Sequence, residues 1–359
     1  MVTRREFGAT MLAGAAALAL PARAAEAGWE KLPTEPYRGK QDDISFIDPD
    51  TGWYGDGQGK LYGTSDGGRS WTKLWDQPGT FIRALGFVDA GTGYLGNVGT
   101  NYYPGVTDSH PLYRTRDGGR NWEKVMAPGI EAVAGICGID ILAQRRIYQG
   151  EARTAHVIHA AGRVGGPAML LRSTDDGDSW SVQDLGKQAG MILDVKFRDP
   201  MTGFLATATD SDTEKARAQI LATSDGGKSW TPVFTGSRPF ENIWKMAWPS
   251  ARIGYATVQS YNPDPANTSR LIIKTEDGGK RWRELPLVTA ANAQEFGIGF
   301  VDERRGWVGT RSSGYETRDG GASWTPVAMG AAVNKVRIVR GNGVTRAYAI
   351  GVEVWRRDL

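Results

Sequence analysis

One short motif recurs six times along the chain, and its spacing constrains the fold more than any other feature. The motif is Thr/Ser-x-Asp-x-Gly-x-x-Trp, and successive copies lie about 50 residues apart. A repeat of this period indicates supersecondary modules that cannot bury their apolar faces alone and must stack on one another. The aspartates and tryptophans of the six copies are Asp66 and Trp71, Asp117 and Trp122, Asp175 and Trp180, Asp225 and Trp230, Asp277 and Trp282, and Asp319 and Trp324.

Strand-like segments flank each copy of the motif. Residues 60–63 and 271–274 precede two of the copies, and residues 122–125 and 230–233 begin at the tryptophans of two others. Two strands joined by a polar, Gly-rich turn indicate a β-hairpin, in which Asp and Ser/Thr side chains bond the backbone of the turn. The motif resembles the Asp-box, or BNR repeat, which is a hairpin turn of β-propellers. We therefore predict that the six aspartates and six tryptophans have structural roles.

The regularly spaced carboxylates also allow a catalytic or calcium-binding interpretation. Each aspartate is alone in its repeat, so the fold would spread the six carboxylates around the molecule. The Asp-Asp-Gly-Asp run at 175–178 lacks the alternate ligands and the distal Glu of an EF-hand loop. These observations favour the structural interpretation.

A second recurring pattern indicates how many strands each repeat contains. It reads Phe-x-Asp…Gly-aromatic, as at 46–53, 87–94, 197–204 and 300–307. It predicts a strand, a tight turn and a second strand ahead of each hairpin, which gives the four strands of one propeller blade. The third repeat departs from the pattern, because residues 139–142 are followed by a longer stretch that reaches residue 155.

The two ends of the chain predict a seventh blade. Strand-like segments follow the last motif at 334–339, 346–350 and 352–356, and the sequence stops where a seventh motif would begin. Residues 28–32 are similar to residues 122–125 and can supply the missing fourth strand. We predict an all-β, seven-bladed β-propeller over residues 25–359, whose last blade is closed by the N-terminal strand. Such closure removes free sheet edges.

Residues 1–24 have the layout of an export signal. Arg4 and Arg5 are followed by an apolar run at 8–20 and by the small-x-small end Ala22-Arg23-Ala24. This layout resembles a twin-arginine signal peptide and predicts export to the periplasm. The run is too short to span a bilayer comfortably, so we expect no stable membrane insertion. No cysteine follows the run, so we do not expect a lipid anchor there.

Charge and metal-binding residue types exclude several function classes. The chain has a net charge of +3, and removing a leader of about +2 leaves about +1, far from the dense cationic face of nucleic-acid-binding proteins. Cys137 is the one cysteine, so no internal disulfide is expected. His156 and His159 fall on opposite faces of a strand, and His110 is remote in sequence, so we expect no metal site. No cofactor motif occurs, and we predict no cofactor.

The predicted topology suggests where binding takes place. The six motifs occupy turns on one face, and long connections at 99–110, 210–217 and 260–267 lie on the other face. Loops on a rigid scaffold are the usual place for recognition, so we expect binding on the face opposite the motifs, around the central channel. The candidate contact residues are Arg83, Arg163, Arg238, Arg311, Tyr102, Tyr103, Tyr261, Glu131 and Glu241, of which the Arg and Tyr types are enriched at recognition hot spots.

The repeat type, the blade layout and the composite last blade make the whole mature chain similar to the photosystem II stability/assembly factor family. The resemblance implies a non-enzymatic scaffold that binds a protein partner, namely a membrane-protein intermediate, through an arginine-rich patch. We expect the protein to be a monomer. Arg83, Arg163, Arg238 and Arg311 match that patch by loop position and not by motif.

A glycoside hydrolase of the sialidase-like or xyloglucan-active type is the alternative, because those enzymes also carry Asp-boxes. Glycoside hydrolysis needs two facing carboxylates. Glu131, Glu241, Asp108 and Asp210 lie in suitable loops, but nothing in the sequence pairs them. The N-terminal Arg-Ile-Pro signature of sialidases is absent, and sialidases have six blades. A redox protein with a bound cofactor is a third possibility that rests only on the export route.

Overall fold

The computed structural model describes residues 28–37, 39–148, 150–268, 271–288 and 294–359. The predicted signal peptide at 1–24 lies outside these residues. Within them, regular structure consists of antiparallel strands in seven four-stranded sheets and two 3-10 helices, Ile130–Ala132 and Pro265–Asn267. A search of this part of the chain finds no helix with the length and apolarity to cross a membrane.

The first strand of the chain, β1 (Glu30–Lys31), does not belong to the same sheet as the strands that follow it directly in sequence. Blades 1 to 3 then come in sequence order, each with four consecutive strands. Blade 1 contains β2 (Asp43–Phe46), β3 (Gly52–Gly55), β4 (Lys60–Thr64) and β5 (Thr72–Asp76). Blade 2 contains β6 (Ile82–Phe87), β7 (Gly93–Asn97), β8 (Leu112–Thr115) and β9 (Glu123–Lys124). Blade 3 contains β10 (Gly138–Tyr148), β11 (Glu151–Ala161), β12 (Met169–Ser173) and β13 (Ser181–Asp184).

Blades 4 to 6 continue the same order. Blade 4 contains β14 (Met191–Phe197), β15 (Gly203–Ala208), β16 (Ala218–Thr223) and β17 (Thr231–Thr235). Blade 5 contains β18 (Glu241–Ala247), β19 (Gly254–Ser260), β20 (Leu271–Thr275) and β21 (Arg283–Pro286). Blade 6 contains β22 (Glu295–Phe300), β23 (Gly306–Thr310), β24 (Gly314–Thr317) and β25 (Thr325–Val327).

Blade 7 joins the two ends of the chain, which confirms the predicted composite blade. It contains β26 (Lys335–Gly341), β27 (Val344–Ile350) and β28 (Val354–Asp358), and β1 pairs antiparallel with β28. The first strands of neighbouring blades contact one another from β2 and β6 round to β26, which contacts β2 again. The prediction of an all-β, seven-bladed propeller closed by its N-terminal strand is therefore confirmed.

Aromatic stacks between blades explain the Phe-x-Asp…Gly-aromatic pattern. The aromatic residue of a second strand lies on the Phe of the next blade, as Trp53 does on Phe87 with ring centroids 3.7 Å apart. Tyr255 and Phe300 repeat this stack at 3.7 Å. The Gly before the aromatic leaves room for the Phe of its own blade, because a Cβ on it would collide with that ring. The pattern therefore encodes packing within a blade and between blades.

The six motif turns share one hydrogen-bond pattern. In the first turn, the Thr64 hydroxyl donates to Asp66 Oδ1 at 2.8 Å and accepts from the backbone N–H of Gly68 at 3.0 Å. Asp66 Oδ1 also accepts from the backbone N–H of Ser70 at 2.9 Å. Gly67 and Gly68 have φ values of 72° and 88°, which glycine adopts readily. The same bonds to the aspartate recur in the other five turns, at Asp117, Asp175, Asp225, Asp277 and Asp319.

Blade 3 carries a long hairpin between its first two strands. β10 and β11 have 11 residues each and pair along their whole length, whereas β12 pairs only with residues 158–161 of β11. The outer part of the hairpin therefore extends past the rest of its sheet. The connection between first and second strands lies on the same face as the motif turns, so the hairpin projects from that face.

Candidate functional site

The face opposite the motif turns is built by connections between second and third strands and by connections between blades. The first strands line the central channel and run from this face to the motif face. Residues at the starts of these strands therefore lie near the channel opening on this face. The site described below comprises this opening and the residues that close the channel beneath it.

Four residues from different parts of the ring bridge the channel beneath the opening, and we call them the channel plug: Asp42, Arg83, Trp244 and Asn334. Arg83 is buried and ion-paired with Asp42, and its guanidinium lies 5.2 Å from the Trp244 ring centroid. Asn334 accepts a hydrogen bond from Trp244 Nε1 at 3.2 Å and donates to the Asp42 backbone carbonyl at 2.9 Å. Because Arg83 belongs to blade 2 and Trp244 to blade 5, these contacts bridge the channel.

The plug contains a buried pair of opposite charges, Arg83 and Asp42, and their attraction favours the charged form of Arg83. Burial alone would lower the pKa of Arg83, but the attraction of Asp42 outweighs it and raises that pKa. Lys40 lies 3.4 Å from the Asp42 carboxylate, and burial lowers the pKa of Lys40. A buried ion pair contributes little net stability but is strongly destabilising when one partner is removed. Removing one member of the Arg83–Asp42 pair would therefore cost more stability than the pair itself contributes.

Aromatic side chains and one arginine surround the opening above the plug, and we call them the channel mouth: Tyr102, Tyr103, Arg163 and Tyr261. Tyr102 and Tyr103 meet edge to face with ring centroids 4.7 Å apart. The Arg163 guanidinium lies 5.5 Å from the Tyr102 ring centroid and donates to the backbone carbonyls of Val98 and Thr100, both at 2.9 Å. The cation is thus fixed against an aromatic face by bonds to neutral acceptors.

The tyrosines of the mouth stay protonated at neutral pH. Burial raises the pKa of Tyr261 to about 12 and also raises the pKa values of Tyr102 and Tyr103. Tyr103 nevertheless keeps 36% of its surface exposed, and its ring stacks on Phe81 with centroids 4.6 Å apart. Rigid aromatic surface with hydroxyl groups is well suited to binding a peptide segment, because little side-chain entropy is lost.

Buried and half-buried charge pairs line the channel deeper than the plug. Asp43 lies 2.6 Å from Lys335 Nζ and 2.9 Å from Arg337 Nη2. Burial alone would raise the pKa of Asp43, but Arg337 and Lys335 outweigh it and lower that pKa to about 2. Lys196 and Asp140 form a further pair at 3.0 Å. These side chains are bound to one another across blades and hold the inner ring together.

The structure brings five of the predicted contact residues together and places the others elsewhere. One of the five, Arg83, belongs to the channel plug. The other four make up the channel mouth: Tyr102, Tyr103, Arg163 and Tyr261. The remaining four are Arg238, Arg311, Glu131 and Glu241.

Those four residues have different surroundings. Arg238 is paired with the buried Glu241 and with Glu284, each at 2.6 Å, and it lines a separate cavity of about 530 Å³. Arg311 is exposed on another loop, and Glu131 is exposed in the 3-10 helix Ile130–Ala132. The four predicted arginines therefore do not share one environment: Arg83 is buried, Arg163 is bound to carbonyls and Arg238 is ion-paired, so the expected arginine-rich patch is not formed as one exposed surface. Their roles in binding stay predictions.

Sequence reasoning missed Lys40, Asp42, Trp244 and Asn334. A polar residue directly before a first strand is a weak signal for this position, as in the runs Asp42–Asp43 and Asn334–Lys335. Trp244 breaks the aliphatic pattern of the first strands. These residues come from distant repeats, and only the closed ring places them together.

The carboxylates considered for glycoside hydrolysis are engaged in local structure. Asp108 accepts hydrogen bonds from the Thr80 hydroxyl at 2.6 Å and from the Tyr113 hydroxyl at 2.8 Å. Glu241 is buried against Arg238. These contacts give both residues the role of fixing loops.

Comparison with known proteins finds a relative by sequence. No protein-family model matches the chain. The chain is 28% identical over 160 residues to the photosystem II assembly lipoprotein Ycf48 of Synechococcus sp. (strain CC9902), and the match covers 44% of this chain and 43% of that protein. The matched part is thus less than half of the relative's length.

Solved structures share the whole propeller. A structure described as YCF48 bound to D1 peptide matches with a TM-score of 0.62 and 17% identity, over 93% of this chain and 98% of that one. The chain resembles Ycf48 in sequence and in fold. A GH74 xyloglucanase from Xanthomonas campestris has a TM-score of 0.62 and 18% identity, over 92% of this chain and 53% of that one. At such identity the xyloglucanase shares the fold alone, whereas Ycf48 also matches by sequence.

Proposed function

We propose that the protein is an exported, non-enzymatic β-propeller that binds a segment of a partner protein at the channel mouth and serves the assembly or stability of a membrane-protein complex. The observation that carries this proposal is the joint similarity to Ycf48, by sequence over part of the chain and by fold over nearly all of it. One of the matching structures is described as holding a D1 peptide, which makes a peptide the expected class of ligand.

The chemistry of the mouth supports a peptide ligand. Tyr102, Tyr103 and Tyr261 offer aromatic surface and hydroxyl groups, and Arg163 offers a cation on the face of Tyr102. The plug beneath them bridges the channel, so a bound segment lies across the mouth and does not pass through. Aromatic and arginine side chains are typical of recognition hot spots.

A non-enzymatic role agrees with the state of the loop carboxylates. Asp108 and Glu241 are held by hydroxyl and guanidinium groups of the scaffold. Export is supported by the sequence layout of residues 1–24, and a twin-arginine pathway carries proteins that have already folded.

Site-specific photo-crosslinking in the native host tests this proposal. The photoreactive amino acid p-benzoylphenylalanine replaces the exposed Tyr103 in one strain. In the matched control strain it replaces Met201, which is 52% exposed on the motif face. Adducts are isolated from the envelope and identified by mass spectrometry. We expect a membrane-protein adduct from position 103 that is absent from position 201.

Two further variants connect the adduct to the mouth. Tyr261→Ala and Arg163→Gln should weaken the position-103 adduct, while Met201→Ala should leave it unchanged. Identical adducts from both positions, or none from position 103, would contradict the proposal. Turnover of xyloglucan oligosaccharides by the purified protein would instead favour the hydrolase alternative.

A further inference from the structure

The blade 3 hairpin is a feature that the proposed function does not use. Five residue pairs, from Gln144 and Ala155 to Tyr148 and Glu151, extend the ribbon past the other strands of its sheet. At the rise of an antiparallel strand this is a projection of about 17 Å. An isolated two-stranded ribbon is only marginally stable in water. A projecting ribbon of this kind on a compact propeller indicates a contact with another surface.

Three arginines share one face of this sheet, and we call them the arginine face: Arg146, Arg153 and Arg172. Arg146 and Arg153 are directly opposite partners in the ribbon. Arg153 and His159 are six residues apart on β11, so they point to the same face of the sheet. Arg172 on β12 lies directly opposite His159 and therefore lies on this face too. Like charges directly opposite each other destabilise a sheet. An external anion would remove that repulsion.

The arginine face also carries one exposed carboxylate, Glu151. Glu151 lies 3.5 Å from Arg153, and both side chains are largely exposed, so this pair is screened by solvent. Arg146 donates to the Thr174 backbone carbonyl at 2.9 Å and to Gln144 Oε1 at 3.3 Å, both of which are neutral acceptors. Burial and the nearby Arg146 lower the pKa of Arg172, which agrees with two cations held close together.

The tip of the ribbon adds an apolar element. Ile147 is 69% exposed, a high value for a large aliphatic side chain. Ile147 lies on the opposite face of the ribbon from the arginines, so both can meet a lipid surface only when the tip inserts end-on. The apolar group then enters the interface and the cations meet the headgroup phosphates. An acidic protein segment would satisfy the arginines but would not require the exposed tip.

We propose that the blade 3 hairpin docks the protein on an anionic lipid surface, with Arg146 and Arg153 binding headgroup phosphates and Ile147 entering the interface. This surface lies on the motif face, opposite the channel mouth. Docking through the hairpin therefore leaves the mouth free for its partner. The proposal rests on the geometry of blade 3 and does not depend on the identity of that partner.

Vesicle flotation with the purified mature chain tests the proposal. The probes are vesicles of phosphatidylcholine alone and vesicles that also contain phosphatidylglycerol. We expect binding only to the phosphatidylglycerol vesicles, and we expect it to weaken as salt is raised because exposed charges are screened. Arg146→Gln/Arg153→Gln should weaken binding about 25-fold, since each basic residue near an anionic surface contributes about fivefold. Ile147→Asp should also weaken it, with the arginines intact.

A matched control separates the hairpin from general charge attraction. Lys228→Gln/Lys280→Gln removes the same number of charges from exposed turns on the motif face of other blades, and it should leave vesicle binding unchanged. Equal losses in the two double variants would overturn the proposal, as would the absence of binding to either vesicle. Capture of polyglutamate without binding to vesicles would also overturn it and would assign the arginine face to an acidic protein segment. Thermal unfolding of each variant verifies that the propeller is intact.

Discussion

His159 lies flat on Phe197, with ring centroids 3.8 Å apart and an interplanar angle of 3°. This is the inter-blade stack that Trp53 and Tyr255 make elsewhere in the propeller, so an imidazole here takes the place of a larger aromatic ring. Both ring nitrogens of His159 are buried without a hydrogen-bond partner in the described structure. Burial lowers the pKa of His159 to about 3, and Arg172 adds to this effect.

The first prediction is that His159 makes the stability of the propeller depend on pH. Its pKa is about 3 in the folded protein against an ordinary value of 6.5, so below pH 6.5 the unfolded chain binds a proton that the folded chain does not. The contribution of neutral His159 is complete above pH 6.5 and is lost as the pH falls towards 3. The loss is at most about 1.4 kcal/mol for each pH unit. His159→Phe should remove this dependence.

Urea unfolding at about pH 7.5 and about pH 5 measures the effect. The free energy of unfolding should fall less for His159→Phe than for the parent between the two conditions. Met201→Ala, at an exposed position on the motif face, is the control and should keep the parent's dependence. Equal pH dependence of the parent and His159→Phe would show that His159 is not responsible.

The repeat architecture was predictable because its signals are local. The hydroxyl, carboxylate and glycines that form each turn lie within a few residues of one another, as Thr64, Asp66 and Gly68 do. The pairing of β1 with β28 was also predictable, because the sequence offers three strands at one end of the chain and one at the other. These features needed no knowledge of contacts between distant repeats.

The candidate site was only partly predictable, because burial of a charged side chain depends on a distant partner. Arg83 looks like an exposed loop cation in the sequence, but it lies in β6 and is buried because Asp42 reaches it from the junction of blades 7 and 1. Glu241 is buried for the corresponding reason, its contact with Arg238. Polar residues that face a channel follow the same two-residue alternation as those that face solvent, so sequence alone does not separate them.

The second prediction concerns the motif aspartates. Hydrogen bonds from Ser70 lower the pKa of Asp66 to about 2 from 3.8, so the contribution of its carboxylate is complete above pH 3.8 and is lost as the pH falls through about 2. Asp66→Ala should lower the free energy of unfolding by about 1 kcal/mol at neutral pH through loss of these bonds. Asp76→Ala, which removes an exposed ion pair with Lys73, should cost less than about 0.5 kcal/mol. Equal effects would contradict the prediction.

The third prediction concerns the channel plug. Arg83→Met should destabilise the propeller by about 3–5 kcal/mol, because it leaves the Asp42 carboxylate buried without its main partner. Arg83→Met/Asp42→Asn should recover part of that loss, since the second change removes the buried charge. Denaturant unfolding of both variants measures the difference. If the double variant is no more stable than the single one, the burial of an unpaired charge is not the cause.

The fourth prediction tests the closure of the ring. Leu32, just after β1, is 2% exposed and packs between blades 7 and 1 with Ile44 and Val354. Leu32→Ala should lower the free energy of unfolding by about 2–5 kcal/mol, the usual cost of truncating a buried Leu. Lys31→Ala is the control: its side chain is 56% exposed and pairs with Glu353, so its loss should cost less than about 1 kcal/mol.

Removal of residues 28–33 tests the closure of the ring by deleting the whole strand β1 instead of one side chain. Without β1, the outer edge of β28 would present unpaired backbone groups, and exposed edges of this kind template association between chains. We expect the shortened protein to form oligomers, measured by size-exclusion chromatography with light scattering, and to unfold at a lower temperature. A monomer that unfolds at the parent's temperature would show that blade 7 is complete with three strands, and Leu32→Ala would then cost no more than Lys31→Ala.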